Sequence, residues 1–122
     1  MILLAGIQLG ATEVEEFPLE EVNYVDLYNK TKNTKNGILQ YHTNKGTFLA
    51  LTTLEDARQF LEKYGFQSLD SVNVVNINAI KYIVEDPFSI KAYFQNGTYT
   101  SISKFKYKNL SHLDIPKKDR PD

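Results

Sequence analysis

No cysteine occurs anywhere in the chain. That excludes disulfides and thiolate-held metals, and it suits a reducing, cytoplasmic setting without requiring one. Histidine is scarce as well: His42 and His112 are the only two. Neither has a partner at metal-ligand spacing, so no zinc site is expected. The six glycines are scattered, mostly at turns, which leaves no glycine-rich cradle for a phosphate cofactor. No Gly-x-Ser-x-Gly elbow is present, and no other nucleophile motif stands out. A Ser-His-acid meeting in space stays open from spacing alone, but surface or satisfied histidines are the plainer reading. No apolar run is long enough to span a bilayer. Met1 to Gly10 is apolar, yet it lacks a basic start, is broken by Gly6 and Gln8, and is followed by acids rather than a small-residue cleavage site. It reads as a first strand, not a signal peptide. Neither an enzyme nor a bound cofactor, small-molecule substrate or membrane contact is expected.

What is present is ordinary in bulk and uneven in detail. The 122 residues suit one domain that can bury a core without staples. Hydrophobic content of 42% and charged content of 24% are those of a globular chain. Net charge is −1, but residues 1–28 carry six acids and no base, while all 14 bases fall after residue 28. The bases bunch at Lys30 to Lys35, at Lys104 to Lys108 and in the tail. A polyanion partner is allowed by this pattern but not demanded.

In chain order, residues 13–21 are acidic and contain Phe17-Pro18, which suggests a loop or the start of a strand. Val22 to Tyr28 is rich in β-branched and aromatic residues and reads as a strand. Asn29 to Gly37 has no apolar residue and reads as an exposed loop carrying Lys30, Lys32 and Lys35. Ile38 to His42 and Thr47 to Leu51 read as two strands around a three-residue hairpin, Asn44-Lys45-Gly46. Thr52 and Glu55 form a capping box, after which Leu54, Ala57, Leu61 and Tyr64 recur at helical spacing as far as Gly65.

Phe66 to Ile80 is dense in short polar side chains threaded by Val72, Val74, Val75, Ile77 and Ile80. It reads as a segment pinned to the core on one side and presenting Ser, Asp and Asn on the other. Strand character resumes at Ile80 to Val84. Phe88, Ile90, Ala92 and Phe94 alternate with polar residues as the inward face of another strand. Asn96-Gly97 is a strong hairpin signal, Thr98 to Ser103 the return strand, and Lys104 to Leu110 a short helix. The charged, proline-broken tail is expected to fray. The fold class is therefore mostly β, a β-dominated α+β domain of about seven strands with one amphipathic helix and a short C-terminal helix. The many aromatic residues could stack bases, but core filling explains them better.

At this point the middle segment can be placed. Phe66, Val74-Val75-Asn76 and Ile80 resemble the central signature of the LytTR family of bacterial DNA-binding domains, roughly Phe-x-Arg-x-His-Arg-Ser-Tyr-x-Val-Asn-x-x-x-Ile. Leu54 through Gly65 looks like the helix before that signature. Glu21 to Asp26 looks like its early strand, and Gly97 to Lys104 like its late Gly-x-x-Ile-x-Val-Ser-Arg segment. The resemblance covers residues 17–113, with residues 1–16 as an N-terminal strand and acidic lead-in and 114–122 as a flexible charged tail.

The resemblance implies an elongated, mostly antiparallel β domain that inserts loops into the major groove of promoter DNA as a transcriptional regulator. Many relatives carry a receiver domain, for which no residues remain here, so a stand-alone module is expected. Carried over by position, the DNA contacts would be Lys30, Lys32, Asn33, Lys35 and Asn36 in the early loop. Ser68, Asp70 and Ser71 would follow in the middle segment, then Ser103 and Lys104, with Lys106 beside them. Double-stranded DNA is the implied partner, bound as a homodimer or in tandem on repeated half-sites. The chain departs from the pattern where it matters most. Arg, His, Arg and Ser of the family are here Ser68, Asp70, Ser71 and Val72. Guanidinium is the usual bidentate reader of guanine, so binding is expected to be weaker or differently specific. The alternative on the same scaffold is a protein-interaction module or decoy that has lost DNA binding.

Overall fold

The computed structural model describes residues 1–28 and 37–122. The expected contacts at Lys30, Lys32, Asn33, Lys35 and Asn36 lie outside the described residues. Eleven strands occur among the described residues, more than the sequence suggests, because several are only two or three residues long. Seven form one sheet: β1 (Leu3–Gln8), β2 (Val14–Pro18), β3 (Val22–Tyr28), β4 (Ile38–Thr43), β5 (Gly46–Ala50), β6 (Phe66–Gln67) and β7 (Val74–Asn76). Their order is β2-β1-β5-β4-β3-β7-β6. Four form a second sheet: β8 (Tyr82–Glu85), β9 (Ile90–Tyr93), β10 (Tyr99–Ser101) and β11 (Lys117–Lys118), in the order β10-β9-β8-β11. All pairings are antiparallel except that of β11 with β8. Two helices complete the set, α1 (Leu54–Leu61) and α2 (Lys104–Tyr107).

Two adjacent residues explain why there are two main cores, beside a small third cluster of Tyr82, Val84 and Tyr93. Side chains alternate across a strand, so Val74 and Val75 on β7 point to opposite faces. Val74 joins the cluster of Val22, Val25, Leu39, Phe48 and Phe66, closed by Ala57 and Leu61 of α1. Val75 joins Leu69, Ile80, Ile83, Ile90 and Phe94. On β3 the paired residues divide the same way, Val25 to the first core and Tyr24 to the second. A strand buried on both faces loses the polar alternation of a half-buried one, which is why Val22 to Tyr28 alternates imperfectly in the sequence. Each such valine, fully buried here, contributes about 1.5–3 kcal/mol.

Several local expectations are revised. The N-cap of α1 is Thr53 rather than Thr52: its hydroxyl accepts from the Asp56 N–H at 3.0 Å, and Glu55 instead takes Arg58. Gly65 ends the following 3-10 turn with φ +88°, a left-handed conformation that a β-carbon would strain. The β4–β5 hairpin is tighter than three residues, since Thr43 pairs with Gly46 across Asn44-Lys45. Pro18 ends β2 instead of starting a strand or lying in a loop. β2 is an edge strand, where the exposed Glu15 and Glu16 discourage pairing with another chain. Residues 3–8 add an interior strand between β2 and β5. Phe88, expected to point inward, is 94% exposed, because Asp86 builds a turn by accepting from the N–H groups of Phe88 and Ser89. Ile80 is buried, but β8 begins only at Tyr82, after a 3-10 turn at Ile77–Ala79. The tail does not lie free throughout, since Lys117 and Lys118 pair with Ile83 and Val84.

Candidate nucleic-acid interface

Between β6 and β7 the chain makes a six-residue loop, Ser68 to Asn73, and the way this loop is held decides what it can present. Leu69 is a buried plug in the second core. Asn73 is 2% exposed, not outward-facing as its polarity suggests. Its Oδ1 accepts from the N–H groups of Leu69 and Asp70, both at 3.0 Å. Its Nδ2 donates to Thr100 Oγ1 and to the Ser101 carbonyl, both at 2.8 Å. One side chain thus closes the loop and fastens it to β10. A buried amide with all its capacity used is what burial of a polar group requires. Asn76 is spent the same way, donating to the Val22 carbonyl at 2.9 Å.

Asp70 is also turned inward. Its Oδ1 accepts from the Val72 N–H at 2.8 Å, an Asx-turn of the kind aspartate favours. Its Oδ2 accepts from the Ser101 hydroxyl. The carboxylate is therefore satisfied by the fold, which accounts for an acid at the centre of a surface otherwise flanked by lysine. Ser103 ties the same two segments: its N–H donates to the Leu69 carbonyl at 2.7 Å, and its hydroxyl caps α2 by accepting from the Lys106 N–H at 3.2 Å.

These bonds bring the middle segment, the end of β10 and α2 into one patch. Ser68 and Lys106, both half-buried, line an open cleft of about 320 Å³ with Arg58, Glu62, Gln67 and Asn109. Arg58 is neutralised by Glu55 and by Glu62, the latter at 2.8 Å. Among the described residues, no carboxylate lies within ion-pair distance of Lys104, Lys106 or Lys108. Ser71 and Lys104 are exposed. Of the described positions expected from the sequence, Ser71, Lys104 and Lys106 thus keep free polar ends at this surface, whereas Asp70 and Ser103 are used in holding it. Sequence reasoning missed Asn73, Thr100 and Ser101. The only signal was the Asp-x-x-Asn spacing of Asp70 and Asn73, which suits a side-chain-closed turn.

The other polar cluster lies on the large sheet. His42 Nε2 meets Asp26 Oδ1 at 2.7 Å, and Nδ1 meets Thr47 Oγ1 at 3.2 Å. His42 stands directly across from Tyr24 and Thr47 in the strand registers, so this is a cross-strand row. Tyr24 stacks on His42 at 4.1 Å and, within the second core, on Phe94 at 5.2 Å. Burial, and then the charge of Asp26, push the Tyr24 phenol up to about 12. The row ties the large sheet to the second core and accounts for both the histidine and the tyrosine as structure.

A model of the LytTR DNA-binding domain matches residues 13–113. The chain belongs to the LytTR DNA-binding domain family. No curated protein matches it. Among solved structures, it is similar to the LytTr DNA-binding domain of a Bacillus cereus protein described as a methyl-accepting/DNA response regulator. Identity is 17%, the TM-score is 0.69, and the match covers 91% of this chain and 94% of that one. At that identity the likeness concerns the fold, and the fold agrees: two sheets, mostly antiparallel, with two short helices. β1 and β11 lie outside the stretch matched to the LytTR family. No described helix is long and apolar enough to cross a membrane.

Proposed function

We propose that this LytTR domain is a sequence-specific transcriptional regulator that docks the Ser68–Asn73 loop and α2 into the major groove of promoter DNA. The observation that carries the reading is the joining of these two segments. Buried Asn73, together with the Leu69–Ser103 backbone bond, fixes a hydroxyl-bearing loop against a short helix whose two lysines, with Lys108 just after it, meet no described carboxylate. Lysines supply salt-sensitive phosphate affinity, and the loop supplies contacts to base edges. The contacts proposed are Ser68, Ser71, Lys104 and Lys106, with Lys30, Lys32, Asn33, Lys35 and Asn36 from the early loop. Asp70 and Ser103 act by holding the surface in shape. A single module of this size gives a small interface, so two copies on repeated half-sites are proposed.

The test is a titration of duplex DNA at low and moderate salt, with stoichiometry read on the same samples. Supporting results are binding whose log–log salt slope corresponds to a few phosphates and a preference for selected over random duplexes. No binding at low salt, with a protein captured instead, would select the protein-interaction module.

A further inference from the structure

The groups left facing outward at this patch are unusual in kind. The bidentate donors expected from the family pattern are absent, and Asp70, Asn73 and Ser103 are spent on internal bonds. What remains exposed around the loop tip and the start of α2 is Ser71, Val72, Lys104 and Phe105. Two of these four are apolar: Val72 is 52% exposed and Phe105 76% exposed. On α2, Tyr107 packs against the second core. Phe105 lies two residues before it, about 200° around the helix, and so faces away from that core. Helix geometry thus holds Phe105 outward between Lys104 and Lys106. A singly exposed phenylalanine is not unusual in itself, and Phe88 is another, but Phe105 stands between two lysines beside the loop tip, where a surface that meets DNA can use it. In the major groove the thymine 5-methyl is the apolar element of the base code, and phenylalanine is among the side chains that read it.

Resting on the DNA-binding reading above, we infer that Phe105 is a specificity-determining residue that packs on a thymine 5-methyl group. Val72 supplies a second apolar contact from the loop tip. The lysines on either side of Phe105 bring the phosphates close, and the ring then discriminates by burying a methyl rather than by donating hydrogen bonds. This LytTR domain accordingly prefers thymine at the base positions that Phe105 and Val72 reach. The ties of the loop to the N-cap of α2, at Leu69–Ser103, and to β10, at Asn73–Thr100, set the two apolar groups in fixed relation. They therefore read bases at a fixed separation.

The experiment uses the full chain. Tight duplexes are selected from a randomised pool and resynthesised with uracil in place of each thymine in turn, which removes the methyl and nothing else. Burial of one methyl corresponds to about a fourfold change in affinity. The expected result is at least one thymine whose replacement weakens binding by about that factor, with the difference abolished in Phe105→Ala and the salt slope unchanged. Val72→Ala is expected to abolish the methyl effect at a different position. Selected duplexes that bind equally well with uracil throughout, or uracil effects all of which survive in Phe105→Ala, would overturn thymine reading by Phe105 while leaving DNA binding intact. A pool from which nothing is retained at low salt would overturn the DNA-binding reading itself. Circular dichroism of each variant establishes that it is folded, since Phe105 and Val72 are exposed and their loss should not cost stability.

Discussion

Replacing Asn73 with alanine tests the account of the interface most directly. The amide makes four hydrogen bonds between 2.8 and 3.0 Å, two within its own loop and two to β10. Alanine leaves the N–H groups of Leu69 and Asp70, the Thr100 hydroxyl and the Ser101 carbonyl without that partner. Those at Leu69 and Thr100 belong to buried residues, whereas Asp70 is half-buried and Ser101 exposed, so water can replace part of the loss at the last two. Each buried group left unsatisfied costs about 1–3 kcal/mol, so the two buried ones together imply roughly 3 kcal/mol. That is a large share of the 5–15 kcal/mol typical of a folded domain. With a urea dependence of about 2 kcal/mol per molar, the unfolding midpoint should fall by roughly 1.5 M. Ser71→Ala is the control: it removes an exposed hydroxyl two residues away and should stay within about 0.5 kcal/mol of wild type. Asn73→Asp should be nearly as damaging as alanine, because it keeps the acceptors but places a carboxylate oxygen against the Ser101 carbonyl. An Asn73→Ala midpoint within about 0.3 M of wild type, at unchanged slope, would refute the claim that this side chain holds the loop.

Other outcomes follow from the same structure. Thr53→Ala should cost about 1 kcal/mol as loss of a helix cap, and Thr52→Ala at most about 0.5 kcal/mol, which denaturant midpoints resolve. Tyr24 has its folded pKa raised from 10.0 to about 12, so the stability it contributes is intact below pH 10 and lost as pH rises from about 10 to 12. Two units correspond to about 2–3 kcal/mol. Tyr24→Phe should remove that alkaline decline, and an unchanged decline in urea midpoints across this range would contradict the assignment. Lys104→Gln should weaken binding to all duplexes about equally and reduce the salt slope by about 1, read by fluorescence anisotropy at several salt concentrations.

Much of the fold was legible in the linear order of residues because local physics wrote it there. The Asn96-Gly97 turn, the amphipathic run ending at Gly65 and the inward set Ile90, Ala92 and Phe94 each depend on near neighbours, and each is realised, although Tyr93 is buried on the opposite face against Tyr82 and Val84. The order and spacing of the motifs were enough to place the chain in the LytTR family. Tertiary structure alone decided the partition into two cores, because Val74 and Val75 are equivalent in sequence and differ only in which sheet face each meets. It also decided where polar side chains go. Asn73 and Asp70 read as presented groups, and the fold instead spends them on partners 27 to 31 residues away. No periodicity carries that information, since a hydrogen bond between distant segments leaves no pattern in either one. For the same reason Phe105 reads as one more core aromatic until the packing of α2 turns it outward. The sequence by itself determined the main elements and the family they make. Only the tertiary structure decided which side chains the interface has left to offer, because burial and hydrogen-bond satisfaction are settled between segments and not along them.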